Sequence, residues 1–131
     1  MAEKPLVAIV DDDQSLRNAT RDLLRAAGFS AAAFADAASF LGSASRAAAA
    51  CLVADMRMPG MTGLELYQAL VASGQRIPTV IITAHPEELM QSRARAAGIT
   101  CYLSKPFAPE DLLECVREAL AKSQDGPIPR S

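Results

Sequence analysis

Residues 6–10, LVAIV, are apolar at every position and run straight into three acids, Asp11-Asp12-Asp13. A short, unbroken apolar run marks a strand covered on both faces. Residues 51–55 repeat the type, and residues 78–83 do so with many β-branched side chains. Residues 29–34 are a weaker strand, alanine-rich and suited to a sheet edge, and residues 99–103 are a fifth strand. Between the strands, apolar residues return at helical spacing. Leu16, Ala19, Leu23, Leu24 and Ala27 form one stripe, with Asp13 or Ser15 as cap and Gly28 as stop. Asp36 starts a second helix through Phe40 and Leu41, which dissolves at Gly42 and Ser43. Residues 46–50 fit either an extension of that helix or a loop. A third helix spans 64–71, a fourth spans 87–97 before Gly98, and a fifth spans 109–122. Pro109 suits its first turn, and Glu110 and Asp111 suit the positive end of its dipole.

Five strands alternating with five helices predict an α/β fold, a parallel sheet wrapped by helices through right-handed crossovers. In such open sheets, function gathers at the C-terminal ends of the strands. The 131 residues suit one domain, expected over 1–122. Residues 123–131, SQDGPIPRS, read as a flexible tail or a truncated linker.

Composition narrows the function classes. Half of the residues are hydrophobic, enough for a core, and the net charge is only −2. Acids and bases are mixed, with no basic stripe, so no direct nucleic-acid contact is expected of this domain. No apolar run approaches the roughly 18 residues of a membrane span. The start, MAEKPLVAIV, shows no signal-peptide pattern, and a cytoplasmic location is expected. Cys51, Cys101 and Cys115 are far apart, with no CxxC pair, and read as reduced, buried thiols. With His85 the single histidine, a zinc site is not expected.

The strand ends carry the chemistry. The first ends in Asp11 and Asp12, the third in Asp55, the fourth in Thr83, and the fifth in Ser104 and Lys105. Two like charges about 4 Å apart cost about 4 kcal/mol at an effective dielectric near 20. Three clustered carboxylates therefore need a cation, and Lys105 supplies one. An all-oxygen acidic pocket also suits Mg²⁺ (or Mn²⁺), which binds through one or two carboxylates plus a phosphate. A carboxylate can itself act as nucleophile and form an aspartyl phosphate. Lys105 and the ion would then offset charge on the transferred phosphoryl group.

IVDDD at 9–13, DMRMPGMTG at 55–63, IITA at 81–84 and LSKPF at 103–107 resemble the receiver domain of two-component response regulators. The resemblance extends to about residue 122. It implies a flavodoxin-like (βα)5 three-layer sandwich with sheet order 2-1-3-4-5. It also implies that Asp55 is the phosphoacceptor and that Asp12 binds Mg²⁺ directly. Asp11 would act through water, and the Arg57 carbonyl would be the third protein ligand. Thr83 would turn toward the phosphoryl group, Lys105 would pair with it, and Tyr102 would follow Thr83 as the aromatic switch. The Lys105–Pro106 bond would be cis, although only about 5–6% of X–Pro bonds are.

The implied donor is a sensor histidine kinase. The face of the fourth helix, fifth strand and fifth helix would control dimerisation or an output partner. Arg93 and Arg95 on one helix, and Glu110, Asp111, Glu114 and Glu118 on the other, suit an isologous dimer. The sequence also resembles receivers of nitrogen-fixation-type regulators, whose chains continue into a LuxR-type DNA-binding domain, leaving open such an output domain or a stand-alone receiver.

Other readings compete residue by residue. Asp11 to Asp13 fit helix capping, and capping is the role expected of Asp13. Asp55 before Pro59-Gly60 fits a turn. Tyr102 fits a half-buried strand aromatic as well as a switch. His85 reads as a solvated loop residue. Arg17, Arg21 and Arg25 read as a solvated face pairing with acids such as Asp22, or, by the resemblance, as a kinase-docking helix. The alternative function is a Mg-dependent haloacid-dehalogenase-like phosphatase, which also uses an Asp nucleophile. Gln14-Ser15 departs from its motif, and the chain leaves little room for a cap region. A flavodoxin-like nucleotide carrier fails because the first loop is acidic and lacks a phosphate cradle.

Overall fold

The computed structural model describes residues 4–125, with side chains to 122. In chain order the elements are β1 (Leu6–Val10), α1 (Gln14–Ala26), β2 (Ser30–Phe34), α2 (Ala37–Leu41) and α3 (Ser45–Ala48). Then follow β3 (Cys51–Asp55), α4 (Gly63–Ala72), β4 (Thr79–Thr83), α5 (Glu88–Ala97), β5 (Cys101–Ser104) and α6 (Pro109–Asp125). The five strands pair in parallel in the order β2-β1-β3-β4-β5, as the resemblance implies.

Alternation along the strands divides the core in two. Val7, Ile9, Val53, Val80 and Ile82 face Leu24 of α1 and Leu112, Val116 and Ala119 of α6. Ala8, Val10, Leu52, Ala54 and Ile81 face the other way, toward Phe40 of α2, Leu66 and Leu70 of α4 and Ala94 of α5. β1, β3 and β4 are covered on both sides, and this accounts for their unbroken apolar sequences.

Helix starts follow the expected chemistry. The Asp13 carboxylate caps α1 by accepting from the Leu16 N–H at 3.1 Å, and Asp36 caps α2 from Ser39 at 2.8 Å. Thr62 and Glu65 close a reciprocal capping box at α4.

Several expectations need correction. Residues 46–50 are neither helix extension nor plain loop. Ser45–Ala48 is a separate turn of helix, held by Arg46 to Gln75 at 3.1 Å and to Ser73 at 3.0 Å. The face of the fourth and fifth expected helices is therefore α5-β5-α6. On α1, Thr20 and Leu24 are buried while Ala19 and Ala27 are exposed. The inward ridge follows Leu16, Thr20 and Leu24 at four-residue spacing, and Thr20 was hidden by its polar class. β5 starts at Cys101, since Ile99 still closes α5: its N–H donates to Ala94 O at 3.0 Å around the left-handed Gly98. α6 continues to Asp125, three residues past the expected end, and residues 126–131 of the expected tail lie outside the described residues.

The cysteines are not all free thiols. Cys101 on β5 and Cys115 on α6 are paired as a disulfide, with Cα atoms 5.9 Å apart. Both face the layer between the sheet and α6, and a separation of 14 residues carries no pairing signal in the sequence. Cys51 is free and buried.

Candidate functional site

The strand ends converge. Asp11, the first residue after β1, is held at both sides of its backbone. Its N–H donates to Phe34 O at 3.1 Å, and Arg17 Nη1 donates to its carbonyl at 2.8 Å. Its carboxylate accepts from the Asp13 N–H at 2.9 Å. Asp11 is buried, whereas Asp12 beside it is exposed. Asp55 ends β3 and is only 8% exposed. One carboxylate oxygen from each of Asp11, Asp12 and Asp55 falls within 4.8 Å of the others. Lys105, from the end of β5, places Nζ 3.3 Å from Asp55 Oδ1.

Electrostatics agree with this crowding. Burial pushes the Asp11 carboxyl up to about 6; the Asp13 N–H opposes the shift and the Asp55 charge adds to it. Burial also raises the Asp55 carboxyl, against the pull of the Lys105 ammonium. The donor set is all oxygen, one Lys faces three acids, and exposed Asp12 opens the cluster to solvent. These properties fit a hard divalent cation.

Thr83 ends β4 and is 1% exposed. Its hydroxyl accepts from the His85 N–H at 3.1 Å, and its carbonyl accepts from the Lys105 N–H at 2.8 Å. Tyr102 is half-buried on β5, opposite Ile81, and packs against the α5 side of the core. Burial, then the charge of Glu87, raises its phenol; the Thr83 hydroxyl is near enough to act in the opposite sense. The structure thus gathers Asp11, Asp12, Asp55 and Lys105 in one pocket, with Thr83 and Tyr102 stacked along its β4–β5 side. Arg57 lies in the loop after β3 with its side chain exposed. The Lys105–Pro106 peptide is cis.

His85 is exposed, and Arg21 pairs with Asp22 at 3.2 Å, as expected. Arg17 and Arg25 instead bond to the carbonyls of Asp11 and Ala31.

Gly63 has a role that sequence reading missed. It closes the motif at 55–63, and its φ is not positive. A Cβ at this position would lie 2.6 Å from Asp55 O and 3.0 Å from Ile81 Cδ1. The N-terminus of α4 therefore presses directly on the backbone of Asp55, and the Gly63 N–H donates to Met56 O at 3.0 Å. No local pattern separates such a close approach from an ordinary turn.

Comparison with known proteins agrees with this arrangement. The family model described as the response regulator receiver domain matches residues 7–117. Response regulator protein TodT of Pseudomonas putida is 37% identical over 127 residues, covering 95% of this chain and 56% of TodT. Transcriptional regulatory protein FixJ of Bradyrhizobium diazoefficiens is 32% identical over 124 residues, covering 95% of this chain and 60% of FixJ. The chain spans little more than half the length of such curated relatives. Among solved structures, response regulator StyR superposes with a TM-score of 0.86 at 44% identity, covering 94% of this chain and 62% of that one. The chemotaxis protein CheY4 of Vibrio cholerae superposes with a TM-score of 0.82 at 31% identity, covering 90% and 100%. These matches favour a signalling receiver over the phosphatase alternative. With its acid-lined pocket at the ends of β1, β3 and β5, this chain belongs to the response regulator receiver domain family.

Proposed function

We propose that Asp55 accepts a phosphoryl group from a sensor histidine kinase and that the α5-β5-α6 face reports it. The observation that carries this is the pairing of a buried Asp55 with Lys105 at 3.3 Å, beside Asp11 and Asp12. Asp12, Asp55 and the Arg57 carbonyl would hold Mg²⁺ or Mn²⁺, with Asp11 acting through water. The bound ion supplies charge neutralisation for the phosphoryl oxygens and the acidic cluster.

The chain's own residues do the rest. An Asp55 oxygen attacks phosphorus as the bond to the donor breaks, and Lys105 withdraws charge from a phosphoryl oxygen. Asp11 keeps its carboxylate aimed by the Asp13 N–H. The Thr83 hydroxyl leaves the His85 N–H for the phosphoryl group, and Tyr102 moves into the room vacated.

The face so changed carries basic residues on α5 and acidic ones on α6, which suits an isologous dimer or an output partner. The receiver takes in residues 1–122 and the end of α6, which runs to Asp125. FixJ is named a transcriptional regulator; control of transcription through a partner domain is the corresponding role proposed here. Among the described residues no helix is long and apolar enough to cross a membrane, and a cytoplasmic location is part of the proposal. No turnover of external phosphate esters is expected beyond loss of the group from Asp55.

Incubation with acetyl phosphate and Mg²⁺, followed by intact mass, tests the reading. Wild type should gain one phosphoryl group, and Asp55→Asn should gain none. An equal gain in both would refute it.

A further inference from the structure

Cys101 and Tyr102 are consecutive on β5 and point to opposite faces of the sheet, Cys101 toward α6 and Tyr102 toward α5. Cys115 meets Cys101 from α6, with Cα atoms 5.9 Å apart. Both cysteines line a cavity of about 270 Å³ that also takes in Arg95, Thr100 and Tyr102. Cys101 is half-buried and reachable, whereas Cys115 is 8% exposed. Cys51 is fully buried, and burial pushes its thiol up to about 12, which removes it from exchange. An accessible thiol with a resolving thiol beside it, both open to one cavity, is the arrangement reversible thiol–disulfide exchange requires.

We propose that Cys101 and Cys115 form a reversible redox site that tethers α6 to β5 beside Tyr102 and restrains the response of this face to Asp55. The restraint rests on the functional reading above; the exchange chemistry does not. The oxidant is a low-molecular-weight disulfide of the glutathione class. The Cys101 thiolate attacks one of its sulfurs, the small S–S bond breaks, and one small thiolate leaves. The Cys115 thiolate then attacks the Cys101 sulfur of the mixed disulfide and expels the second small thiolate. Two protein thiols thereby lose two electrons and two protons, and one small disulfide becomes two small thiols. Arg95 lines the same cavity, and Glu118 Oε1 lies 3.6 Å from Cys101 Sγ. Once formed, the bond fixes the spacing of β5 and α6 at the residue next to Tyr102.

The full chain, equilibrated across ratios of reduced to oxidised glutathione, alkylated and weighed, decides the exchange. Wild type should lose two alkylatable thiols reversibly; Cys101→Ser and Cys115→Ser should form no internal bridge. Absence of the bridged species at every ratio overturns the site. Acetyl phosphate and Mg²⁺ should then phosphorylate bridged and reduced protein alike. Phosphorylation-dependent amide exchange over β5 and α6 should be roughly fivefold or more smaller in the bridged form, the lower range of allosteric coupling. Cys101→Ser should show the reduced response with or without oxidant. An equal response in both wild-type forms, with full phosphoryl uptake, overturns the restraint. No uptake in either form overturns the functional reading and the restraint with it, while the alkylation result still decides the exchange.

Discussion

Lys105 reaches Asp55 across an intervening strand. The two residues end β5 and β3, β4 lies between them, and Nζ still comes within 3.3 Å of Oδ1. Neighbouring strands lie about 4.8 Å apart, so the two side chains together bridge roughly 10 Å over the end of β4. The Lys105 N–H donates to the carbonyl of Thr83, the residue it crosses. One residue thus links three strand ends.

Lys105→Met should strengthen Mg²⁺ binding. The ammonium neutralises part of the acidic cluster and repels an incoming divalent ion. Its removal should favour the ion by on the order of 1 kcal/mol, a several-fold gain in affinity. Titration calorimetry at low salt measures this. A clear loss of affinity would mean that Lys105 helps to shape the cation site rather than compete with it.

Asp11 should make the metal-free fold pH-sensitive. Its carboxyl rises from 3.8 to about 6 on folding, so between those values the folded state holds more protons than the unfolded one. Stability contributed at this residue is therefore lost as pH rises from about 4 to about 6, by about 1–3 kcal/mol. Asp11→Asn should flatten that part of the profile and stabilise the metal-free chain at neutral pH. Denaturant melts across pH, in chelator, check both. An equally steep loss in the variant would place the titrating group elsewhere.

Gly63→Ala should disturb Asp55 without touching its side chain. The added Cβ would meet Asp55 O at 2.6 Å, so either α4 or the end of β3 must shift. A destabilisation of about 1–3 kcal/mol is expected, together with slower phosphoryl uptake. Gly42→Ala is the control. Its φ is −88°, and its nearest contact would be an ordinary 3.5 Å. It should leave both properties nearly unchanged. Matching behaviour of the two variants would remove the case for a close approach.

The pocket was legible in the sequence because each of its acids terminates an apolar run. β3 falls on residues 51–55 as expected, and Asp55 then needs no tertiary information to be placed at a strand end. The missing features are those that depend on a neighbour. Thr20 faces inward because α1 is oriented by its ridge against β1 and β2, not by the class of each residue. Ser45–Ala48 lacks a side-chain cap and is held from outside by Gln75 and Ser73, 27 or more residues away. Cys101 and Cys115 meet only because β5 and α6 are packed together, and Gly63 matters only because Asp55 lies beneath it.

Thr83→Ala should separate phosphorylation from its consequence. Thr83 is 1% exposed, its hydroxyl accepts from the N–H of exposed His85, and the Tyr102 phenol lies near it. That N–H can turn to water, so the stability cost should stay near 1 kcal/mol. Asp55, Lys105 and the acidic cluster are untouched, and phosphoryl uptake from acetyl phosphate should continue. What disappears is the hydroxyl that, in the function proposed above, draws Thr83 inward and opens room for Tyr102. Sedimentation with beryllofluoride and Mg²⁺ should therefore show self-association in wild type and none in Thr83→Ala. The Tyr102 phenol, raised by burial and by Glu87, offers a second readout. Its ultraviolet titration should respond to beryllofluoride in wild type and stay fixed in the variant. Self-association equal to wild type in Thr83→Ala would show that the signal leaves Asp55 by another route, with the Lys105 link to β5 the next candidate.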